Sequence, residues 1–212
     1  MAIVTEFGCP VQEYVARCAQ LEFPRPEVCP YCQAVHLFIG HGFYVRQPIT
    51  PTAVYRVRIK RWLCKACRRT VSLLPSFLFR YRHYLLDVIQ SVVITRFEDR
   101  ASWTQVVQRC TEEGYPARRT LGRWCVSFAA QAPGWWSAVQ QTLAHQDASS
   151  PSLDPLGDQA GPRDAPRALL QAALHLLAWA KTHWPEVGSY GLADRLRFLW
   201  HWGTGHGLGR LV

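Results

Sequence analysis

The spacing of apolar residues changes along the chain, from a period of two to a period near 3.6 at about residue 75. In "TAVYRVRIKRWLC" one set of alternate positions holds Val54, Arg56, Arg58 and Lys60, and the other holds Tyr55, Val57, Ile59 and Arg61. The preceding "AVHLFIGHGFYVRQ" is rich in β-branched and aromatic residues with glycine breaks. These patterns predict β-strands within residues 29–75.

Helical periodicity begins in "YRHYLLDVIQSVVITRFED" and continues through residues 76–145. Apolar side chains recur there three and four positions apart, which places them on one helix face. They are Leu85, Leu86, Ile89, Val92, Val93 and Phe97.

The segment "SWTQVVQRCTEEGYPARRTLGRWCVSF" has the pattern of a helix-turn-helix. Ser102 is suited to cap a first helix, Gly114 to end it, and Pro116 to lie in the first turn of a second. Val106 and Val107 would face inward from the first helix. The second helix would bury Leu121, Trp124 and Phe128 and present Arg118, Arg119, Thr120 and Arg123 near its start.

Five segments follow from these patterns. A lead of residues 1–28 contains one short helix, from Pro10 to Leu21, and a proline-rich extended end. The Ser, Pro, Gly and Asp content of residues 146–166 predicts a linker between the helical region 76–145 and a C-terminal helical segment, 167–212. The glycine-rich last ten residues are expected to fray. The predicted class is α+β, with an N-terminal Cys₄ zinc ribbon over 29–75 and a mainly helical remainder.

The net charge of +9 is concentrated in the middle of the chain. Between His41 and Trp124 there are 16 Lys and Arg against 5 Asp and Glu. A local excess of this kind favours a polyanionic partner, most often nucleic acid.

No apolar run approaches the length of about 18 residues that a membrane span needs, and the N-terminus lacks the features of a signal peptide. The sequence therefore predicts a cytoplasmic, nucleoid-associated protein without a membrane partner. In a reducing compartment, cysteines are metal ligands or free thiols more often than disulfides.

Four of the eight cysteines form two C-x-x-C pairs, Cys29 with Cys32 and Cys64 with Cys67. Each pair places two thiolates on one tight turn, and two such turns at the ends of strands complete a tetrahedral Zn²⁺ site. The spacer of 31 residues is longer than usual, but a longer hairpin accommodates it. All four positions would be protein ligands, so the predicted Zn²⁺ is structural.

Other interpretations of these residues stay open. A single C-x-x-C is also the pattern of a redox pair, although that needs a βαβ context. Cys9 and Cys18 are interpreted as free thiols, and Cys110 and Cys125 as core residues. His36, His41 and His83 could replace a ligand, but turn or surface positions are the preferred interpretation.

The basic residues around the second pair are candidates for contacts with DNA phosphates, and those of the second helix for contacts with bases. The first set is Arg56, Arg58, Lys60, Arg61, Lys65, Arg68 and Arg69. The second is Arg118, Arg119, Thr120 and Arg123.

The stretch "CPYC…HGFYVRQ…VRIKRWLCKACRRTVSLLPSFLFRYRHY" resembles the zinc-ribbon front end of bacterial insertion-sequence transposases and related uncharacterised transposon-associated proteins. In those proteins a helix-turn-helix follows, and "TLGRW", Thr120–Trp124, is similar to the start of its recognition helix. The resemblance covers roughly residues 29–128. It implies binding of double-stranded DNA and transposition proteins as partners.

A complete transposase would also carry an RNase H-like domain with three carboxylates that bind Mg²⁺. The acidic residues downstream are few, and no strand-rich segment carries them: Asp147, Asp154, Asp158, Asp164, Glu186 and Asp194. A non-catalytic accessory factor or regulator of a mobile element is therefore the preferred interpretation. One alternative is an adaptor that docks a recombinase or ATPase through its tryptophans and a C-terminal pair of amphipathic helices. The other is a transposase or nuclease with an unrecognised active site.

Overall fold

A computed structural model describes residues 2–113, 115–146 and 164–212, except the side chains of residues 186, 189 and 192. The chain divides into two compact units, Met1–Leu85 and Leu86–Val212. We call them the N-terminal unit and the C-terminal unit. The described residues form a mixed α and β structure with one four-stranded sheet and six α-helices.

The N-terminal unit is built on the sheet. Its strands are β1 (Ala2–Thr5), β2 (Phe38–Arg46), β3 (Val57–Cys64) and β4 (Thr70–Pro75), in the order β1-β4-β3-β2. β1 runs parallel to β4, and the other two pairings are antiparallel. The strands predicted within 29–75 are thus present, and the lead segment adds a fourth strand that the sequence patterns did not predict.

Both faces of β3 carry buried residues. Val57 and Ile59 are buried on one face, while Trp62 and Cys64 are buried on the other, because their positions differ by an odd number of residues. Trp62 and Cys64 form a core cluster with Phe38, Val71 and Leu73. We call their side of the sheet the cysteine face, and the side of Val57 and Ile59 the opposite face.

β2 is an edge strand with a bulge. Gly40 pairs with Trp62 and Phe43 pairs with Lys60, so β2 has one residue more than β3 over this interval. Gly42, within the bulge, has a φ of 72°, which glycine adopts without steric cost.

The lead segment also contains α1 (Val11–Arg17), within the predicted range 10–21. The Tyr14 ring is fully buried and packs edge-on against Phe7 and Phe77. Its hydroxyl donates a hydrogen bond of 2.8 Å to the carbonyl of Arg58, which ties α1 to β3. Burial raises the pKa of Tyr14 well above its usual value, so the hydroxyl stays a donor.

The C-terminal unit is helical. It contains α2 (Leu86–Phe97), α3 (Trp103–Cys110), α4 (Arg118–Gln146), α5 (Ala165–His183) and α6 (Arg195–Gly205). Two short 3-10 helices, Pro185–Ser189 and Leu192–Asp194, precede α6. The buried residues of α2 include Leu86, Ile89, Val92 and Val93, as the periodicity predicted.

The start of α3 is capped as predicted. The Ser102 side chain accepts from the N–H of Gln105, and the Gln105 side chain accepts from the N–H of Ser102. α3 ends at Cys110; Gly114, the predicted stop, lies outside the described residues. Most of the predicted linker also lies outside them, and its last two residues, Ala165 and Pro166, are buried in the first turn of α5.

Polar side chains fix α6 within its unit. Gln90 of α2 accepts from the N–H of Leu196 at 2.9 Å and donates to the carbonyl of Ala193, so it satisfies backbone groups at the start of α6. Arg195 forms a two-pronged ion pair with Glu98, with one contact at 3.1 Å. Because the Arg195 side chain is 8% exposed, losing either partner would leave a charge poorly solvated.

The prediction that the glycine-rich tail frays is wrong. Leu211 and Val212 are buried, and the indole N–H of Trp135 donates to the carbonyl of Arg210 at 3.1 Å. The free energy gained by burying these two apolar side chains exceeds the cost of ordering the flexible, glycine-rich backbone.

No helix in the described ranges joins the length to the continuous hydrophobicity that crossing a bilayer requires.

Candidate metal centre and basic surfaces

The first C-x-x-C pair lies in a tight hairpin that Val28 and Val35 close with an antiparallel bridge. The N–H of Cys29 donates to the carbonyl of Ala34, and the N–H of Gln33 donates to the carbonyl of Cys29, both at 2.9 Å. Gln33 has a φ of 59°, a left-handed conformation that reverses the chain after the second cysteine.

The second pair repeats this geometry. The N–H of Cys64 donates to the carbonyl of Arg69, and that of Arg68 donates to the carbonyl of Cys64, both at 3.0 Å. Arg68 has a φ of 58° and so corresponds to Gln33. Two turns with the same hydrogen bonds and the same left-handed residue present their thiols in the same way.

The sheet brings the two turns together. β2 begins just after the first turn and β3 ends at the second, and Phe38 is the register partner of Cys64. The N–H of Lys65 also donates to the carbonyl of Leu37 at 2.8 Å. The antiparallel pairing of β2 with β3 therefore places cysteines 32 or more residues apart at one end of the sheet.

The four sulfurs have the spacing that a tetrahedral metal ion requires. Cys29 Sγ lies 3.8 Å from Cys67 Sγ, and Cys32 Sγ lies 3.8 Å from Cys64 Sγ. All four sulfurs lie within 4.8 Å of one another. A tetrahedron with Zn–S bonds of about 2.3 Å has edges of about 3.8 Å. The group can hold a metal ion, and no other set of three or more His, Cys, Asp or Glu in the described ranges is arranged to do so.

The thiols differ in acidity. For Cys29, burial by itself raises the pKa, but N–H groups of Tyr31 and Cys32 and the neighbouring thiols lower it to about 7. For Cys32, the N–H of Ala34 lowers the pKa, but burial and the other three thiols outweigh it and raise the value to about 11. Four thiols this close resist becoming four thiolates together, and a cation among them removes that resistance.

The remaining cysteines lie apart from this group. Cys110 and Cys125 are buried in the C-terminal unit, which confirms their interpretation as core residues. Cys9 and Cys18 are buried free thiols of the N-terminal unit. The candidate replacement ligands His36, His41 and His83 are exposed and do not join the four sulfurs.

The seven basic residues proposed for phosphate contacts separate into three groups. Arg58 and Lys60 lie on the cysteine face and share the ring of Phe43, with the guanidinium carbon 4.4 Å and the ammonium nitrogen 4.6 Å from its centroid. Lys60 also lies 5.0 Å from the Trp62 ring. Cation–π contacts hold both charges at the surface of the sheet.

The second group is on the turn of the second cysteine pair, where Lys65, Arg68 and Arg69 are all exposed. Arg69 stacks over Tyr31 of the first turn at 5.0 Å. In the third group, Arg61 lies on the opposite face, where it pairs with Ser72, and its Nε is buried with no hydrogen-bond partner among the described residues. Arg56 precedes β3 and lines a cleft together with Tyr44 and Arg46, which point to the same face. Seven residues predicted as one surface are therefore distributed over both faces.

In the C-terminal unit, the residues predicted to read bases lie at the start of α4. Arg118, Arg119 and Arg123 are exposed and Thr120 is half-buried. Leu121, Trp124 and Phe128 are buried, as predicted for the inner face of this helix.

Sequence reasoning missed Arg25, whose guanidinium carbon lies 5.5 Å from the Trp62 ring. It stands in the proline-rich end of the lead segment, where no periodicity relates it to β3. The one sequence feature that distinguishes Arg25 is its position between two prolines, and this feature does not predict that the residue belongs to a basic surface.

Comparison with known proteins gives one finding. Residues 29–124 match a family described as a domain of unknown function, DUF6431. The match begins at the first cysteine of the metal group and ends at Trp124 in α4, so it includes all four cysteines and all eleven predicted DNA-contacting residues. It covers less than half of the chain. No curated protein and no solved structure matches significantly.

Proposed function

We propose that the chain is a double-stranded DNA-binding protein whose N-terminal unit is a zinc ribbon, held by one structural Zn²⁺ on Cys29, Cys32, Cys64 and Cys67. The observation that supports it most is the spacing of the four sulfurs, with 3.8 Å between Cys29 and Cys67 and between Cys32 and Cys64. Exposed basic side chains lie on the same turn and the same sheet face.

Zinc suits this site better than other metals because its four donors are thiolates in tetrahedral spacing. All four coordination positions are filled by protein, so the ion stabilises the fold and leaves no position for a substrate. Bound zinc needs reduced thiols, which agrees with a cytoplasmic, nucleoid-associated protein.

In the N-terminal unit, Arg58, Lys60, Lys65, Arg68 and Arg69 would contact phosphates. A Zn(Cys)₄ centre carries a charge of −2, and the basic residues beside it keep the surface attractive to a polyanion. Cation–π contacts with Phe43 position Arg58 and Lys60 before DNA arrives, which lowers the entropy lost on binding.

In the C-terminal unit, α3 and α4 would form the helix-turn-helix, with α4 as the recognition helix. Its first turns expose three arginines, and the helix N-terminus adds a favourable dipole toward phosphate. Arginine is the side chain that most often reads guanine in the major groove.

From the resemblance to insertion-sequence transposases we propose that this binding serves a mobile element, with the chain as an accessory factor or regulator and transposition proteins as its partners. The alternative, an adaptor that docks a recombinase or ATPase through its tryptophans and C-terminal helices, is less favoured because all nine tryptophans are buried or half-buried.

DNA binding is tested by removing two arginines from the start of α4. The double variant Arg119→Ala, Arg123→Ala should weaken binding to a duplex selected from a random pool by tenfold or more. It should also lose most of its preference for the selected duplex over an unrelated one, since arginines that contact bases carry sequence preference. Fluorescence anisotropy with the two duplexes measures both quantities.

A matched control carries the same loss of charge elsewhere. Arg17 and Arg109 are exposed and bonded to Glu13 and Asp99. Arg17→Ala, Arg109→Ala should therefore leave the affinity and the sequence preference close to those of the original protein. Equal effects in the two double variants would mean that α4 contributes to binding only through its net charge. Zinc-loaded protein that selects no duplex would overturn the proposed function.

A further inference from the structure

Three cations and two aromatic rings alternate across the cysteine face of the sheet. The guanidinium carbon of Arg25 lies 5.5 Å from the centroid of the Trp62 ring, and Lys60 Nζ lies 5.0 Å from the same centroid. Lys60 Nζ is also 4.6 Å from the centroid of Phe43, and the guanidinium carbon of Arg58 is 4.4 Å from it. We call Arg25, Lys60 and Arg58, with the two rings between them, the cationic row.

Two strands and the lead segment build the cationic row. Arg58, Lys60 and Trp62 occupy alternate positions of β3, and Phe43 of β2 is the register partner of Lys60. Alternate residues of a strand point to one face at intervals of about 6.6 Å, so the sheet spaces the first two charges regularly. Arg25 extends the row beyond these two strands, because it belongs to the lead segment.

The backbone around Arg25 is restricted. Phe23 packs edge-on against Phe43, with the ring centroids 5.2 Å apart, which fixes the lead segment on the cysteine face. Pro24 and Pro26 flank Arg25 and limit the conformations of the chain on both sides of it. Arg25 is therefore held beside the other two cations before a ligand arrives, which lowers the entropy lost on binding.

The charges of the cationic row have no counter-charge within the protein. Arg25 and Arg58 are exposed, and Lys60 is half-buried. None of the three forms an ion pair in the described structure, and this includes the two glutamates nearest to Arg25 in the sequence, Glu22 and Glu27. Neighbouring cations without carboxylate partners create a positive potential that attracts a polyanion.

The ring contacts of these cations are compatible with binding a phosphate. A ring covers one face of a planar guanidinium, while the N–H groups of Arg25 and Arg58 lie in the plane and point outward. Lys60 has three N–H donors around its nitrogen, so those directed away from the rings can reach a second partner. Stacking thus orients each cation, and its N–H groups remain suited to the charge-assisted hydrogen bonds that phosphate oxygens accept.

We propose that the cationic row binds consecutive phosphates of one strand of duplex DNA, and that Arg25 is a DNA-contacting residue. This inference rests on the proposed function. It adds a residue of the lead segment to the binding site and gives the DNA backbone a path across the rings of Trp62 and Phe43. It also distinguishes Arg25 from Arg56, which lines a cleft with residues of the opposite face and lies outside this path.

The test compares Arg25→Gln with Arg56→Gln in the zinc-loaded full chain, since both arginines are exposed and each variant loses one charge. Arg25→Gln should reduce the slope of log K against log salt by about 0.9, the contribution of one phosphate contact to duplex binding. Arg56→Gln should leave the slope unchanged, and Arg25→Lys, which keeps the charge, should retain most of it. Arg25→Gln should also weaken binding to the selected duplex and to an unrelated one by the same factor, because phosphate contacts carry no sequence preference.

Chemical modification provides a readout that needs no variant. Phenylglyoxal, which reacts with accessible guanidinium groups, should modify Arg25 and Arg58 less in the DNA complex than in the protein alone, and Arg56 equally in both, as measured by peptide mass spectrometry. A slope that Arg25→Gln leaves unchanged, or an Arg25 that reacts equally with and without DNA, would overturn the inference and leave the proposed function intact. Zinc-loaded protein that binds neither duplex would overturn the proposed function and the inference with it.

Discussion

Cys32→Ser is expected to destabilise the N-terminal unit more than Cys18→Ser does, although Cys32 is exposed and Cys18 is buried. If burial alone determined the loss of stability, Cys18→Ser would be the more destabilising variant, because a serine at a buried position leaves a hydroxyl without its usual partners. The order reverses if Cys32 is a zinc ligand. Structural zinc contributes about 10–16 kcal/mol to folding, so one ligand in four accounts for about 3 kcal/mol or more.

Hydrogen exchange measured by mass spectrometry resolves this effect because it reports each unit separately. Amides of β3 should lose most of their protection in Cys32→Ser and keep most of it in Cys18→Ser. Amides of α5 in the C-terminal unit are the internal reference. Similar protection of β3 in the two variants would mean that the four thiols do not hold a metal that the fold needs.

Gly203→Ala is expected to destabilise the C-terminal unit by about 3 kcal/mol, at the upper end of the cost of overpacking a core. A Cβ at Gly203 would lie 2.1 Å from Cζ3 and 2.3 Å from Cη2 of Trp135. Trp135 cannot move away freely, since it is buried and its indole N–H is bonded to the Arg210 carbonyl. Glycine is thus required in α6 by close packing, at a position where alanine would otherwise favour the helix.

Gly205→Ala, two residues further along α6, is the matched control because its Cβ would meet nothing within 4 Å. Urea unfolding followed by tryptophan fluorescence should give a lower midpoint for Gly203→Ala and a nearly unchanged one for Gly205→Ala. Adding Trp135→Phe to Gly203→Ala should recover part of the loss, because the smaller ring makes room for the methyl group. Equal midpoints for the two glycine variants would contradict the packing of α6 on Trp135.

Local patterns predicted the elements whose cause is local. The C-x-x-C spacing indicated the two turns, the apolar period indicated α2, and Ser102 indicated the start of α3. The juxtaposition of the four sulfurs was also predictable, since two turns at the ends of paired strands must meet.

What the patterns missed depends on contacts between distant segments. β1 has four residues, and its pairing with β4, about 70 positions away, leaves no periodic signal in so short a strand. The tail was predicted to fray because the sequence shows its glycines but does not show that Leu211 is buried in the core. The cleft that Arg46, Arg56, Arg80 and Arg82 line is formed by Ala2, β2 and the segment from Arg80 to His83. No single stretch of the sequence therefore predicts it.

X-ray absorption at the zinc edge, paired with metal analysis of protein purified without added zinc, tests the metal centre most directly. One zinc per chain, with four sulfur neighbours at about 2.3 Å and no nitrogen or oxygen in the first coordination sphere, is the expected result. Protein that is folded, as judged by protected β3 amides, yet contains no stoichiometric metal would contradict it.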